Sequence, residues 1–160
     1  MSAIQDGDVA DWEAMMSSNV TGLLYVSKEV IKGMVERQSG HIINLSSIAG
    51  KQTYPNGNVY CASKAAVEAL SAGMRQDLNA FGIKVSNVAP GAVNTEFSNV
   101  RFKGDSAKAA SVYAGFEPLV AEDVADLIRY IVTAPAHVNI ADVTILPKAQ
   151  ASATQILRKN

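Results

Sequence analysis

Three short apolar runs constrain the fold of this chain more than any other feature. Residues 41–45 (His41, Ile42, Ile43, Asn44, Leu45), 83–89 and 139–146 are too short for helices, and each follows a long stretch with apolar residues at helical spacing. Helix then strand, three times over, predicts an α/β fold with parallel strands, because a chain returns in the same direction only by crossing a face of the sheet. The first helix is expected over 9–37, opening after Asp8 and carrying Trp12, Met15, Val20, Leu23, Leu24, Ile31 and Met34 at helical intervals until Gly40 stops it. A second is expected over 59–81, ended by Gly82, and a third over 121–133. Residues 94–118 show no clear period and read as a flap over a site or as a disordered loop, and 147–160 reads as a polar C-terminal tail.

Fourteen basic residues and fifteen acidic ones leave a net charge of −1, which gives no long-range pull on phosphate backbones or anionic lipid. Nucleic acid and membrane surfaces are therefore excluded as expected partners. The longest apolar stretch, 20–35, is broken by Ser27, Lys28, Glu29 and Lys32 and cannot fill a bilayer core. A single cysteine, Cys61, and an acidic start without the basic and apolar regions of a secretory signal predict a cytoplasmic protein. Cys61 itself reads as a small packing residue. His41 and His137 have no ligand-spaced partners, so no metal site is predicted.

Chemistry concentrates in four places. Tyr60 and Lys64 stand four apart near the start of the second helix, on one face. An ammonium beside a phenol favours the phenolate and is expected to lower the Tyr60 pKa, making the hydroxyl a usable acid or base; alone, such a pair is also found on any solvated helix face. Ser47 leaves the first strand thirteen residues before Tyr60, where its hydroxyl could meet the oxygen that Tyr60 protonates, although a serine at a strand end commonly caps a turn. Asn19 sits mid-helix, where asparagine is an indifferent helix former and needs a reason to be. Pro90, Gly91, Ala92, Val93, Asn94 and Thr95 follow the second strand, where a backbone can approach a flat ligand and Thr95 can donate to it; a plain strand-ending turn is the ordinary explanation.

The segments Asn-Val-Thr-Gly (19–22), Asn-Leu-Ser-Ser-Ile-Ala-Gly (44–50), Tyr-Cys-Ala-Ser-Lys (60–64) and Val-Ala-Pro-Gly-Ala-Val-Asn-Thr (88–95) resemble, in order and spacing, the motifs of the short-chain dehydrogenase/reductase family. The resemblance implies a Rossmann-like, doubly wound parallel sheet and an oxidoreductase that moves a hydride between NADP(H) or NAD(H), NADP in preference, and a small hydroxy or carbonyl substrate. It implies Tyr60 as acid/base, Ser47 polarising the substrate oxygen with Ser46 a less favoured neighbour, Lys64 tuning Tyr60 and holding the nicotinamide ribose, and Asn19 anchoring a water for proton relay. Cofactor contacts are implied for Tyr60, Lys64, Pro90, Gly91, Val93 and Thr95, and a homodimer or homotetramer for the two long helices, whose surface is small at Ala62, Ala65, Ala66, Ala69, Ala72 and Gly73. The stretch 139–147 with Gln150 is similar to NADP-dependent members acting on serine and other 3-hydroxy acids. Arg101, Lys103 and Lys108 in the flap are then candidates to meet a substrate carboxylate.

The chain departs from the family in one large respect. No three glycines carry the spacing that receives a pyrophosphate at a helix N-terminus, and the residue that would choose NAD or NADP is absent with them. Residues 1–160 are accordingly expected to be a single partial domain, the catalytic half, with the N-terminal mononucleotide-binding half missing and the first strand left with an unpaired hydrophobic edge. A truncated, non-catalytic fragment that self-associates without cofactor is the alternative, and an epimerase or dehydratase on the same Tyr60 and Lys64 pair is a further enzymatic rival.

Overall fold

The computed structural model describes residues 2–102 and 104–159, leaving aside the side chains of Asn99, Ser106 and Ala109. The first helical stretch is one rod in three parts: α1 (Val9–Met16), a π-turn (Ser17–Thr21) and α2 (Gly22–Glu36). Asp8 caps it as the sequence predicts, its carboxylate accepting from the Ala10 N–H at 2.9 Å. After β1 (Gly40–Leu45) come α3 (Ile48–Lys51) and the long α4 (Asn58–Leu78), tightened into a 3-10 turn through Phe81. Gly82 then takes the left-handed φ of 67° that ends the element, a conformation in which any side chain is strained.

The strands β1, β2 (Ile83–Pro90) and β3 (Asp142–Ile145) form a parallel sheet in the order β1-β2-β3. Gly40 to Leu45 pair with Ile83 to Val88, and Asn87 to Pro90 pair with Asp142 to Ile145. As the central strand, β2 is buried on both faces, and Val85, Val88 and Ala89 are wholly enclosed, which is why it reads as a nearly unbroken apolar run. β3 is shorter than the expected 139–146; at its start the Ala141 carbonyl accepts both the ladder bond from the Asn87 N–H at 3.0 Å and a bond from Arg75 Nη2 at 2.7 Å.

α4 packs across β1 and β2 through small residues with a polar seam. Asn44 Nδ2 donates to Ser71 Oγ at 2.9 Å, and Ser71 Oγ donates to the Val67 carbonyl at 2.7 Å, so these enclosed polar groups satisfy one another. Leu78, Ile83 and Val85 anchor the apolar cluster below, against Ile31, Met34, Val35, Ile42, Met74 and Phe81. His41 lies beside Ser86 Oγ at 2.8 Å, and burial, helped by the nearby Lys84 charge, holds its pKa below the usual histidine value. Among the described residues no helix is long and apolar enough to cross a membrane, and no group of three histidine, cysteine or acidic side chains could hold a metal ion.

The 94–118 segment holds more regular structure than its aperiodic sequence suggests. It contains α5 (Phe97–Arg101) and α6 (Ser106–Ser111), both under two turns and so too short to imprint a helical period on the sequence. α7 (Ala121–Val132) follows and packs Ile131 against the sheet region. Because all three strands run the same way, their carboxyl ends open on one side, where the loops after β1 and β2 meet the 94–118 segment.

Candidate active site

Ser46 and Ser47 leave β1 with different duties. Ser46 is buried, continues the ladder by donating its N–H to Val88 O at 2.8 Å, and gives its hydroxyl to the Lys64 carbonyl at 3.1 Å, so it serves as a structural strut. Ser47 caps α3, accepting from the Ala49 N–H at 3.1 Å, and its hydroxyl also reaches the Pro90 carbonyl at 3.4 Å and the Tyr60 phenol. The capping role and the placement beside Tyr60 are thus held by the same oxygen.

Tyr60 stands in the first turn of α4, with its ring tilted 42° against Phe97 at 5.6 Å between centroids. Burial pushes its pKa above the ordinary tyrosine value, against smaller opposing pulls from the Ser47 hydrogen bond and the Arg101 charge. This reverses the expectation drawn from the Tyr60 and Lys64 spacing. The Lys64 ammonium donates to the Leu45 carbonyl at 2.9 Å, lies 6.0 Å from the Tyr60 ring centroid, and has its own pKa lowered by burial. Spacing of four brings the two side chains to one face but does not aim the ammonium at the phenol oxygen.

Asn19 occupies the middle of the π-turn, a helix defect that recurs at functional sites. Its Nδ2 donates to the enclosed Ser63 Oγ at 3.1 Å, and Ser63 donates on to the Tyr60 carbonyl at 2.8 Å. The asparagine therefore fixes the turn of α4 that carries Tyr60, a reason for its mid-helix position beyond an exposed polar site.

The segment after β2 is shaped by the tail. The Gly91 N–H continues the ladder to Ile145 O at 2.8 Å, and a Cβ on Gly91 would stand 2.2 Å from Gln150 Oε1 and 2.7 Å from Leu146 Cδ2. Gly91 is thus required by close approach of the chain's own tail, where the sequence suggests approach of a flat ligand. Ala92 donates to Gln150 Oε1 at 2.8 Å. Residues 92 and 94 both bond Leu119, at 3.0 and 2.7 Å, so Val93 turns its peptide groups the other way and its carbonyl accepts from Tyr113 Oη at 2.7 Å. Thr95 Oγ1 accepts from the Phe97 N–H at 3.3 Å and keeps its own proton to donate.

One cleft of about 810 Å³ brings together Asn19, Ser47, Tyr60, Lys64, Pro90, Gly91, Val93 and Thr95, all of which line it. Of the three cations expected to meet a carboxylate, Arg101 lines it and Lys108 does not; Lys103 lies outside the described residues. A smaller cavity of about 310 Å³ adjoins, sharing Asn19, Tyr60, Phe97 and Arg101.

Sequence reading missed the wall built by the tail. Gln150 is buried, with its Nε2 donating to Ser152 O at 3.1 Å, and Ala153, Ile156 and Arg158 line the cleft beside it. Arg158 donates to the Ala114 carbonyl, and to that of Val112 at 3.0 Å, while the Lys159 N–H reaches Gly115 O at 2.8 Å, so the tail is tied to the 94–118 segment. The signal available was weak: one glutamine and one isoleucine in a polar run. Tyr54, whose pKa burial pushes up to about 12, also lines the cleft.

The geometry has close counterparts. The chain is 45% identical over 154 residues to the NADP-dependent 3-hydroxy acid dehydrogenase YdfG of Escherichia coli (strain K12), covering 96% of this chain and 62% of that protein. It is 45% identical over 148 residues to sulfoacetaldehyde reductase 2 of Chromohalobacter salexigens, covering 92% of this chain and 59% of that one. Among solved structures, the closed form of a serine dehydrogenase complexed with NADP+ superposes with a TM-score of 0.94 at 43% identity, covering all of this chain and 65% of its counterpart. Serine dehydrogenase from Escherichia coli superposes with a TM-score of 0.79 at 36% identity over 94% of this chain and 60% of its own. The chain thus spans about three fifths of the length of these relatives. The sequence profile described as short chain dehydrogenase matches residues 1–106, the span that holds Asn19, Ser47, Tyr60, Lys64 and Thr95, and the chain belongs to the short-chain dehydrogenase/reductase family.

Proposed function

We propose that this chain carries the catalytic half of an NADP-dependent oxidoreductase acting on small hydroxy or carbonyl compounds, 3-hydroxy acids among them. The observation that supports it is the single cleft lined by Ser47, Tyr60 and Lys64 together with the 90–95 segment. The nicotinamide end of such a cofactor suits the donors present: the Lys64 ammonium for ribose hydroxyls, and the Val93 peptide and Thr95 hydroxyl for the carboxamide. Residues 1–160 contain no glycine-rich turn for the pyrophosphate. When bound, NADPH supplies a hydride to the substrate carbonyl carbon.

The chain's own part is proton transfer. Burial keeps Tyr60 protonated at neutral pH, so it is ready to donate to the carbonyl oxygen as that oxygen gains charge. Ser47, already within reach of the phenol, holds the same oxygen and then the phenolate. Asn19 acts through Ser63 to keep the Tyr60 turn in place. In the oxidising direction Tyr60 must start deprotonated, which the burial opposes.

Intact mass, NADPH fluorescence titration and NADPH oxidation with small aldehydes and 3-oxo acids test the proposal on one sample. Saturable binding with turnover that falls about 10²–10⁴-fold in Tyr60→Phe, binding being kept, supports it. A chain of the expected mass that binds no NADPH refutes it and favours the second reading, a self-associating, non-catalytic fragment. That reading draws on the exposed Ala62, Ala65 and Ala69 of α4 and Tyr25, Val26 and Val30 of α2, the same faces through which a dimer or tetramer of the enzyme would form.

A further inference from the structure

The cleft has a marked charge imbalance. Its described lining holds three cations, Lys64, Arg101 and Arg158, and no aspartate or glutamate. Two of the cations are engaged by the fold: Lys64 donates to the Leu45 carbonyl and Arg158 to the carbonyls of Val112 and Ala114. Arg101 differs. It is the last residue of α5, its guanidinium carbon stands 5.9 Å from the Tyr54 ring centroid and 5.4 Å from that of Phe102, and although the guanidinium donates to the Tyr54 phenol oxygen, its Nε is buried with no hydrogen-bond partner.

A guanidinium between aromatic faces keeps its N–H edges in the plane between them, the geometry that grips a carboxylate or sulfonate through paired donors. A buried Nε–H without a partner is a standing cost unless a bound group accepts from it. Its neighbour four residues back, Phe97, packs on the Tyr60 ring, so an anion at Arg101 belongs to a molecule short enough to reach the Tyr60 hydroxyl. The Arg101 charge is also felt at both Tyr54 and Tyr60.

We infer that Arg101 is the specificity-determining residue of this cleft, binding the acidic group of a short anionic hydroxy or oxo compound whose reacting oxygen lies at Tyr60. This rests on the reading of the cleft as an oxidoreductase site and adds the charge class of its substrate. Lys64 and Arg158 are already committed, and Lys108 is outside the cleft.

The test uses 3-hydroxybutanoate and its uncharged methyl ester, with wild-type chain, Arg101→Met and Arg101→Lys. Calorimetry measures binding of each compound without cofactor, and kcat/KM is measured with NADP+. The acid should bind the wild type more tightly than the ester does, and Arg101→Met should lower the acid-to-ester ratio of kcat/KM about 100-fold, chiefly through KM. Arg101→Lys, which keeps the charge without the fork, should fall between. A wild type that binds acid no better than ester, or an Arg101→Met that keeps the wild-type ratio, overturns the inference. Were the chain to turn over neither compound, the oxidoreductase reading would fail alone, because the calorimetric preference and its loss in Arg101→Met still decide the role of Arg101. Should Arg101→Met not fold, Arg101→Lys decides it, because a wild-type acid-to-ester ratio in that variant overturns the inference.

Discussion

Gly91 and Gln150 offer a quantitative probe of how the tail completes the cleft. The φ of Gly91 lies outside the left-handed range, so contact and not backbone freedom demands the glycine. Gly91→Ala would place a Cβ 2.2 Å from Gln150 Oε1, the far end of a flexible side chain, which must then swing away. Swinging away breaks the 2.8 Å bond from the Ala92 N–H and leaves that donor enclosed, at about 1–3 kcal/mol. Relieving the 2.7 Å approach to Leu146 Cδ2 adds about 1 kcal/mol, giving a total of about 2–4 kcal/mol. Gln150→Ala removes the same bond from the other side and also loses the bond to Ser152 O, at a similar cost of about 2–4 kcal/mol. Because both changes destroy one shared contact, the double variant should be less destabilised than the sum by about 1–3 kcal/mol. Urea denaturation of the four proteins reads the cycle, with hydrogen exchange at the Ala92 N–H reporting the local bond. Additivity to within about 0.5 kcal/mol would show that Gly91 and Gln150 act independently, and would refute the account of Gly91 as a glycine held for the tail.

Alkaline stability and thiol reactivity test two further features. Tyr54 and Tyr60 have folded pKa values raised above the unfolded value near 10, Tyr54 to about 12, so their contribution to stability is intact below pH 10 and is lost as pH rises through the folded values. The denaturation midpoint should fall between pH 10 and about 12, and Tyr54→Phe should flatten that fall; an unchanged slope in Tyr54→Phe contradicts the buried phenol. Cys61, only 1% exposed and packed in α4, should react with a thiol reagent only as fast as the chain opens, so that urea below the transition accelerates labelling; prompt stoichiometric labelling in buffer would show the α4 packing to be wrong.

The parts of this structure that the sequence made legible are those with a local signal. Helix periodicity, the glycine stop at 82 and the apolar runs were enough for the order of elements, because each rests on residues within one or two turns of each other, whereas the first helix ends at Glu36 with Gln38 taking the left-handed turn and Gly40 already opening β1. The candidate residues Asn19, Ser47, Tyr60, Lys64, Pro90, Gly91, Val93 and Thr95 were picked out through four separate motifs, and all of them line one cleft. The tail was not legible, because its role lies in contacts across more than forty residues: Gln150 to Ala92, Arg158 to Val112 and Ala114, Ala153 to Gln52. Nor was the π-turn, since a one-residue widening at Asn19 leaves the apolar period almost unchanged.

The Tyr60 pKa shows most clearly where spacing stops being informative. Two residues four apart on a helix share a face, yet the effect of a charge on a neighbour depends on distance and on what else competes for it. Lys64 Nζ is held at the Leu45 carbonyl, while Tyr60 is shielded from water by Phe97 and the walls of the cleft. Desolvation penalises the phenolate fully, and the remaining pulls, from the Ser47 hydroxyl and Arg101, only offset part of it. The phenol therefore keeps its proton at neutral pH, and the chain as folded is poised to give a proton. In the oxidoreductase proposed above, a protonated Tyr60 would suit the reducing direction, in which the phenol gives its proton to the substrate oxygen. An anion bound at Arg101, as inferred above, would strengthen that bias further, because neutralising a charge that favours the Tyr60 phenolate would leave the proton held more firmly still.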